Sequence, residues 1–179
     1  MINGALPDVI VTQRLVLRPS RESDVPDVFA GYARDPEVTR YLLWRPHLTM
    51  VETEAFIVSQ IARRGRSEEQ TWVITRAEED RALGMIGLGA RNSYELGYVL
   101  ARPEWGKGYM TEAVKALADL ALAQDGIYRV FALCDVENLA SARVLDKAGF
   151  ELEGRLGRHT IFPNISAAPR DVFSYAKVR

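Results

Sequence analysis

Residues 95–111 read ELGYVLARPEWGKGYMT, and this stretch decides the fold. A short apolar run, Leu96–Leu100, leads through Pro103 into a glycine-spaced turn, Trp105–Thr111. Beyond the turn, apolar side chains recur at the spacing of one helical face, at Val114, Leu117, Ala118 and Ala121. The stretch therefore predicts a strand, a turn and a helix whose apolar face lies against a sheet.

The turn has the chemistry of an anion site. The first backbone N–H groups of a helix have no intrahelical partner, the helix dipole is positive there, and two glycines let a phosphate approach the backbone. A P-loop is excluded because Tyr109 follows Gly108 where that motif needs Lys and then Ser or Thr. A dinucleotide-binding fingerprint is disfavoured because Thr111 replaces its third glycine, although Asp135 partly matches its acidic residue. A glycine-rich connection without a ligand stays open on this stretch alone.

Composition limits the class of protein. The chain has 179 residues, is 47% hydrophobic and carries a net charge of -1, which favours one globular domain over residues 1–179 and argues against general nucleic-acid binding. The single cysteine, Cys134, cannot form an internal disulfide, and the sparse His and Cys residues argue against a structural zinc site. Without an 18-residue apolar run or a signal pattern, we expect a cytoplasmic protein, monomeric or homodimeric, with no membrane partner.

The N-terminal half predicts strands and helices in alternation. We expect a strand over residues 9–18, a helix from Asp24 to about Ala33, and a second helix opened by a capping box at Thr49–Glu52 and ending near Arg64. Its predicted buried stripe is Val51, Ala55, Val58 and Ala62, and a charged exit that includes Arg66 and Glu68 follows. Strands over residues 71–75 and 83–90, a turn over residues 91–93 and the central strand Tyr94–Leu100 then form an antiparallel meander.

The C-terminal half predicts a parallel strand over residues 128–134 and a helix after Asn138. The spacing places Ser141, Val144, Leu145 and Ala148 on one face, Gly149 ends the helix, and strands are expected over residues 150–162 and 170–178. Asn138 has the ordinary role of a helix N-cap, and the ordinary partner of the Ser141 hydroxyl is a carbonyl three or four residues back.

Four motifs in this order resemble the GNAT acetyltransferase superfamily, and within it the ribosomal-protein N-terminal acetyltransferases. They are Arg14-Leu15-x-Leu17-Arg18, Glu95-Leu96-Gly97-Tyr98, Trp105-Gly106-Lys107-Gly108-Tyr109, and Asn138-x-x-Ser141 ending in Lys147-Ala148-Gly149-Phe150. Arg170–Tyr175 resembles the closing strand of the family. The resemblance implies a mixed α/β (α+β) fold, with a single, mostly antiparallel central sheet of about seven strands flanked by about four helices.

The resemblance also implies acetyl-CoA as the cosubstrate, with no metal. It assigns the pyrophosphate to the backbone of the turn and the pantetheine arm to the central strand and Asn138, and it assigns Ser141 as proton donor to the thiolate. The implied oxyanion donor is the N–H of Val99 or Leu100. The implied cofactor-binding residues are Tyr98, Val99, Leu100, Trp105, Gly106, Lys107, Gly108, Tyr109, Met110, Thr111 and Asn138.

A base must deprotonate the acceptor ammonium before attack, and Glu95 is the first candidate. An ion-paired strand carboxylate is an equal alternative, and Tyr94 and Tyr175 are weaker candidates for acid or base. Two residues depart from the superfamily turn: Trp105, which is common in the ribosomal-protein branch, and Met110, whose side chain is expected to narrow the pocket. On the acceptor side, Tyr41 and Trp44 are expected to pack in the interior and His47 to lie in a surface loop.

The expected function is thus acetyl transfer from acetyl-CoA to a primary amine by direct attack in a ternary complex. The N-terminal α-amine of a protein, such as a ribosomal protein, is the first candidate acceptor. A small amine, such as a polyamine, an amino acid or an antibiotic, is the alternative. A non-catalytic acyl-CoA-binding module is the alternative of a different class, and the presence of Glu95 and Ser141 argues against it.

Overall fold

The computed structural model describes residues 6–64, 69–89 and 94–179, which form one eight-stranded sheet with helices on both faces. The strands are β1 (Ile10–Val11), β2 (Leu15–Arg18), β3 (Glu69–Arg76), β4 (Glu79–Gly89), β5 (Tyr94–Leu100), β6 (Arg129–Asp135), β7 (Glu151–Thr160) and β8 (Arg170–Val178). The helices are α1 (Val25–Val28), α2 (Pro36–Thr39), α3 (Met50–Arg63), α4 (Tyr109–Leu122) and α5 (Leu139–Lys147). The strand order is β1-β2-β3-β4-β5-β6-β8-β7, and only the β5–β6 pair is parallel.

The predicted mixed fold is confirmed, with one strand more than expected. The single strand predicted over residues 9–18 is two short strands, because the chain reverses after Val11. The N–H of Thr12 donates to the carbonyl of Leu15 at 2.9 Å, and the Thr12 hydroxyl accepts the N–H of Leu15 at 3.1 Å. This side-chain bond closes the turn and pairs β1 antiparallel with β2. The predicted turn over residues 91–93, together with Ala90, Arg66 and Glu68, lies outside the described residues.

The sheet separates two apolar clusters. The α4–α5 cluster contains α4, α5 and the side chains of Leu96 and Leu100 from β5. The α1–α3 cluster, on the other face, contains α1, Ile57 of α3 and Met85 of β4. The predicted stripe of α4 is confirmed, since Val114, Leu117, Ala118 and Ala121 are all fully buried. The helix itself begins at Tyr109, so the last three residues of the turn, Tyr109–Thr111, are also the first three residues of α4.

The predicted stripe of α3 is wrong. Val51 is 70% exposed and Val58 45% exposed, and Ala55 and Ala62 are exposed as well, whereas Thr53 and Ile57 are buried. Polar hydrogen bonds fix which face of α3 points toward the protein. The Thr53 hydroxyl bonds His47 Nδ1 at 2.7 Å, and Thr71 on β3 donates to Gln60 at 3.0 Å. These bonds use side chains that a hydrophobic count scores as solvent-facing.

His47 was expected in a surface loop, but it is half-buried. Its ring lies 5.2 Å from that of Trp44 and 6.2 Å from that of Phe56, and burial lowers its pKa. Trp44 packs against the α1–α3 cluster, as expected. The ring therefore fixes the start of α3 to the segment before it.

Arg18 anchors the first helical segment to β2. Its guanidinium is 4% exposed and bonds both oxygens of Asp24, at 2.9 and 2.7 Å, and Asp80 at 2.5 Å. Asp24 also accepts the N–H of Arg21 at 2.7 Å, so the segment begins with a 3-10 turn at Glu22–Asp24, two residues before the predicted start. The second arginine of the Arg14–Arg18 motif is thus structural.

We expect Asp24→Ala to lower the free energy of unfolding by about 3 kcal/mol, because it leaves the buried Arg18 charge with only the exposed Asp80 as partner. Chemical denaturation measures this change. Lys115→Ala, which removes an exposed i,i+4 pair with Asp119, serves as the control and should cost about 0.5 kcal/mol or less. Equal costs for the two variants would contradict the anchoring role of Arg18.

Candidate active site

The sheet splits between β5 and β6. These strands pair only at their first residues, Tyr94 with Val130 and Glu95 with Phe131, while the whole of β6 stays paired with β8 from Arg129 to Asp135. β5 remains paired with β4 as far as Leu100. The two parallel strands therefore diverge toward their C-terminal ends and leave an opening between them.

The register decides which amides of β5 face this opening. The N–H of Ala101 donates to the carbonyl of Leu83 at 2.8 Å, on the β4 side. Successive amides of a strand point to opposite sides, so those of Gly97 and Val99 also face β4 and those of Tyr98 and Leu100 face the opening. Of the two oxyanion donors expected from the sequence, Leu100 faces the opening and Val99 does not.

The glycine turn depends on two left-handed residues. Gly106 has φ 75° and Gly108 has φ 79°, conformations that favour glycine. Gly108 is the N-cap of α4, and the first intrahelical bond to its carbonyl comes from the N–H of Glu112 at 3.1 Å. The N–H groups of Tyr109, Met110 and Thr111 precede this first bond, and they are the unpaired donors of the helix start. The turn thus has the backbone conformation that the predicted anion cradle requires.

Arg14 and Glu112 clamp the turn. Arg14 donates to the carbonyl of Lys107 at 3.0 Å, lies 4.8 Å from the centre of the Tyr109 ring, and bonds the Glu112 carboxylate through Nε at 2.7 Å. Glu112 also accepts the N–H of Arg14 and the hydroxyl of Thr12. Burial tends to raise the pKa of Glu112, but these bonds hold it below the ordinary value. The carboxylate therefore stays charged and ties the N-terminal hairpin to the turn.

The remaining side chains of the turn divide between solvent and core. Trp105 is partly exposed and donates from Nε1 to the carbonyl of Leu100 at 2.7 Å, and Lys107 pairs with the buried Glu104 at 3.0 Å. Met110 was expected to narrow the pocket, but it is 4% exposed and packs in the core with α4. Its side chain therefore points into the core, and only its backbone belongs to the turn surface.

Ser141 bridges the opening. Its Oγ lies 2.6 Å from the hydroxyl of Tyr98 on β5, and its N–H donates to the side chain of Asn138, which caps α5 as expected. The partner of the Ser141 hydroxyl is therefore across the opening and not a carbonyl of its own helix. Cys134 lies beside Ser141, and burial raises the pKa of its thiol to about 11, so it stays protonated.

Glu95 lies on the opposite face of the sheet from Tyr98. It shares the face of Val99, which packs with the α1–α3 cluster, whereas Tyr98 packs with the α4–α5 cluster. Its side chain is exposed, but nearby protein atoms remove part of its hydration and raise its pKa; Glu69 adds to this effect and His159 opposes it. A carboxylate of raised pKa at the edge of the opening suits a general base.

The other tyrosines are less suited to acid or base chemistry. Tyr175 is buried on β8, where burial and the nearby Asp146 raise the pKa of its hydroxyl, and Tyr94 packs against the core at the closed end of the opening. The Arg40 guanidinium lies over the Tyr41 ring, 5.4 Å from its centre.

Within the described residues, no group of three or more His, Cys, Asp or Glu side chains is arranged to hold a metal.

The loop between β7 and β8 makes contacts that sequence reasoning did not predict. Asn164, between β7 and β8, donates to the carbonyls of Thr39 and Trp44 at 2.7 Å each. These contacts join residues more than 60 positions apart, and no local pattern marks them.

No helix in the described part of the chain is long and apolar enough to cross a membrane.

The structure is a mixed α/β fold whose sheet splits beside a glycine turn at a helix start, which is the arrangement expected of an acyltransferase. Comparison with protein-family models agrees: residues 14–151 match the acetyltransferase (GNAT) domain. The chain belongs to the GNAT acetyltransferase family and is an N-acetyltransferase.

Individual relatives are consistent with this assignment. The chain is 30% identical over 155 residues to the uncharacterized N-acetyltransferase p20 of Bacillus licheniformis, covering 83% of this chain and 85% of that one. Two solved structures share the fold: the microcin C7 self-immunity acetyltransferase MccE with acetyl-CoA and AMP, and the ribosomal L7/L12 α-N-protein acetyltransferase RimL with coenzyme A. Their TM-scores are 0.83 and 0.80 at 21% and 23% identity, and each comparison covers 97% of both chains.

Replacing Gly108 by valine should raise the dissociation constant of acetyl-CoA about tenfold or more, because φ 79° disfavours a branched residue and the added Cβ would lie 3.4 Å from Arg14 Nη2. Calorimetric titration measures the constant. Gly126→Val is a matched control, since Gly126 has φ 85° in the turn between α4 and β6. The same affinity in both variants would remove the turn from cosubstrate binding.

Proposed function

We propose that this N-acetyltransferase moves the acetyl group of acetyl-CoA to a primary amine by direct attack, with the N-terminal α-amine of a protein as the acceptor. The observation that carries the proposal is the placement of the two candidate catalytic groups. Ser141 lies on the α4–α5 face with the turn, and Glu95 lies on the α1–α3 face, so donor and acceptor would approach the opening from opposite faces.

The donor would bind as an added strand beside β5. The amides of Tyr98 and Leu100 face the opening, which allows a pantetheine arm to pair with them, and the turn offers its N–H groups to the pyrophosphate. The residues that form this site are Trp105, Gly106, Lys107, Gly108, Tyr109, Met110 and Thr111, with Asn138 at the start of α5.

The transfer itself requires proton transfers and one oxyanion site. Glu95 accepts a proton from the acceptor ammonium, directly or through water, and the free amine attacks the thioester carbonyl. The N–H of Leu100 or Tyr98 stabilises the negative charge that develops on the carbonyl oxygen. As the C–S bond breaks, Ser141 donates its proton to the departing thiolate, and the second proton that the nitrogen loses on becoming an amide restores the Ser141 hydroxyl. Tyr98, 2.6 Å away, supports that hydroxyl.

A bare strip of sheet on the acceptor face favours an extended acceptor. Gly89 and Gly97 share this face with Glu95; a Cβ built on Gly97 would meet no atom within 4 Å, and one on Gly89 would meet only the carbonyl of Glu95 at 3.9 Å. The strip ends at Gly87, where a Cβ would lie 3.1 Å from the Thr71 side chain. A chain that follows the reactive amine can lie against such backbone without side-chain obstruction. A globular small amine would leave this strip uncovered.

The proposal is tested by following acetyl-CoA consumption with three kinds of acceptor: short peptides with free α-amines, the same peptides blocked at the amine, and small amines such as spermidine. Transfer to free peptides that exceeds transfer to small amines supports the proposal. Transfer to small amines alone would show that the acceptor is a small amine and not a protein N-terminus. Binding of acetyl-CoA without transfer to any amine would favour the non-catalytic module.

We expect Ser141→Ala to lower kcat about tenfold or more while the dissociation constant of acetyl-CoA changes less than about twofold. The reason is that the hydroxyl is needed when the thiolate leaves and not when the thioester binds. Ser59→Ala, which removes a hydroxyl bonded to the carbonyl of Phe56 on α3, is the control and should leave kcat unchanged. Unchanged kcat in Ser141→Ala would take Ser141 out of the mechanism.

For Glu95, kcat at saturating acceptor should rise with pH through an apparent pKa above the ordinary carboxyl value of 4.5, because the base works only when it is ionised. Glu95→Gln should lower kcat about 100-fold and abolish that limb of the pH profile. Glu151→Gln, on the exposed edge strand β7, is the matched control. A Glu95→Gln variant with the profile of the unmodified protein would show that Glu95 is a surface carboxylate only.

A further inference from the structure

A pocket of about 250 Å³ lies at the edge of the sheet where β6 ends and β8 begins. β5 and β6 are parallel and diverge toward this same edge, so the pocket lies beside the wide end of the opening. Three arginines line it, Arg155, Arg158 and Arg170, together with the carboxylates of Glu137 and Asp171. None of these residues takes part in the transfer chemistry proposed above.

Two of the three arginines are already neutralised. Arg170 bonds the buried Asp135 at 2.6 Å and Glu137 at 3.0 Å, and Arg155 bonds Asp171 at 2.8 Å. The Arg158 guanidinium donates to the carbonyl of Pro169 at 3.4 Å and forms no ion pair with any other described residue. Asp171 is near it, but the oxygens of Asp171 accept from Arg155 and from the backbone N–H of Arg158.

The backbone of Arg158 is held in an unusual conformation. Its φ of 52° makes it the one non-glycine residue with positive φ in the described part of the chain. Asp171 accepts its N–H at 2.8 Å, and the β7–β8 register shifts between Leu156 and Thr160. Such a bulge redirects side chains away from the regular alternation of a strand. Here it keeps Arg158 in the pocket lining.

The loop that ends this hairpin is fastened to the face of the sheet that carries Glu95. Asn164 donates to the carbonyls of Thr39 and Trp44, and Trp44 packs with Val99 in the cluster on that face. The charge of His159, the residue after Arg158, lowers the pKa of Glu95. Glu95 lies where β5 and β6 still pair and the Arg158 pocket lies at the wide end of the same opening, so an extended acceptor that runs from Glu95 along the opening would lead toward the pocket.

We propose that Arg158 determines acceptor specificity by binding an anionic group, a carboxylate or a phosphate, that the acceptor carries near its reactive amine. A guanidinium presents several N–H donors in a plane and binds both kinds of oxyanion through paired, charge-assisted bonds. This inference rests on the proposed function and adds to it the class of acceptor. Arg158 acts on binding and orientation, and the proton transfers stay with Glu95 and Ser141.

The test compares kcat/KM for matched acceptors on the full chain. Three peptides begin with serine and differ only at the second residue, which is glutamate, phosphoserine or glutamine, and ethanolamine and phosphoethanolamine form a small-molecule pair. We expect the anionic member of a set to be preferred about tenfold, and the set that shows the preference identifies the source of the anion.

Arg158→Gln should reduce the preference to about one while leaving kcat/KM for the neutral acceptors unchanged. Arg158→Gly, which suits the positive φ, guards against misfolding and should behave in the same way. Arg179→Gln, an equal charge change at the opposite end of β8, should keep the preference.

Equal efficiencies for anionic and neutral acceptors in the unmodified protein would overturn the subsite and leave the proposed function standing. A preference that persists in both Arg158 variants would overturn the role of Arg158. Absence of transfer to every amine would overturn the proposed function, and the subsite with it.

Discussion

The structure depends on the parting of two parallel strands. β5 and β6 pair at Glu95 and Phe131 and then separate, and each is held apart by its other neighbour, β4 on one side and β8 on the other. Because both neighbours pair along the full length of the opening, the opening is a fixed feature of the sheet. It leaves the amides of Tyr98 and Leu100 without a strand partner, and unpaired backbone donors in a sheet favour the binding of an added strand.

The N-terminal hairpin supports this arrangement from outside. Thr12 and Arg14 bond Glu112 in the first turn of α4, Arg14 also holds the carbonyl of Lys107, and Arg18 fixes Asp24 at the start of α1. One short segment thus connects the glycine turn on one face of the sheet to the helices on the other. This explains in physical terms why two arginines four positions apart belong to the motif at the start of the chain.

The fold was predictable from sequence patterns that are compatible with only one local structure, such as an apolar helical stripe or a glycine at a helix end. The stripe of α4 is purely apolar and appears as expected, and Gly149 ends α5 with φ 85°. The stripe of α3 was misread because Thr53, a polar residue, faces inward toward His47. Local turn chemistry at Thr12 also hid the division of the first strand in two.

The candidate site was predictable residue by residue but not in its geometry. The family resemblance named Ser141 and Glu95, yet the Tyr98 partner of Ser141 lies 43 positions away and the side of the strand that each amide faces follows from register alone. The positive φ of Arg158 arises from a bond to Asp171 across the β7–β8 hairpin, and an arginine gives no local sign of such a conformation. Pairing between distant residues therefore determines the geometry of the candidate site, which composition and periodicity do not specify.

The central claim, that acetyl-CoA binds as an added strand in the opening, is tested most directly by residue-resolved amide hydrogen exchange with and without acetyl-CoA. The amides of Gly97 and Val99 face β4 and should exchange slowly in both states. Those of Tyr98 and Leu100 should exchange faster in the free protein and slow markedly when acetyl-CoA is added. Unchanged exchange at Tyr98 and Leu100 under saturating acetyl-CoA would contradict the account.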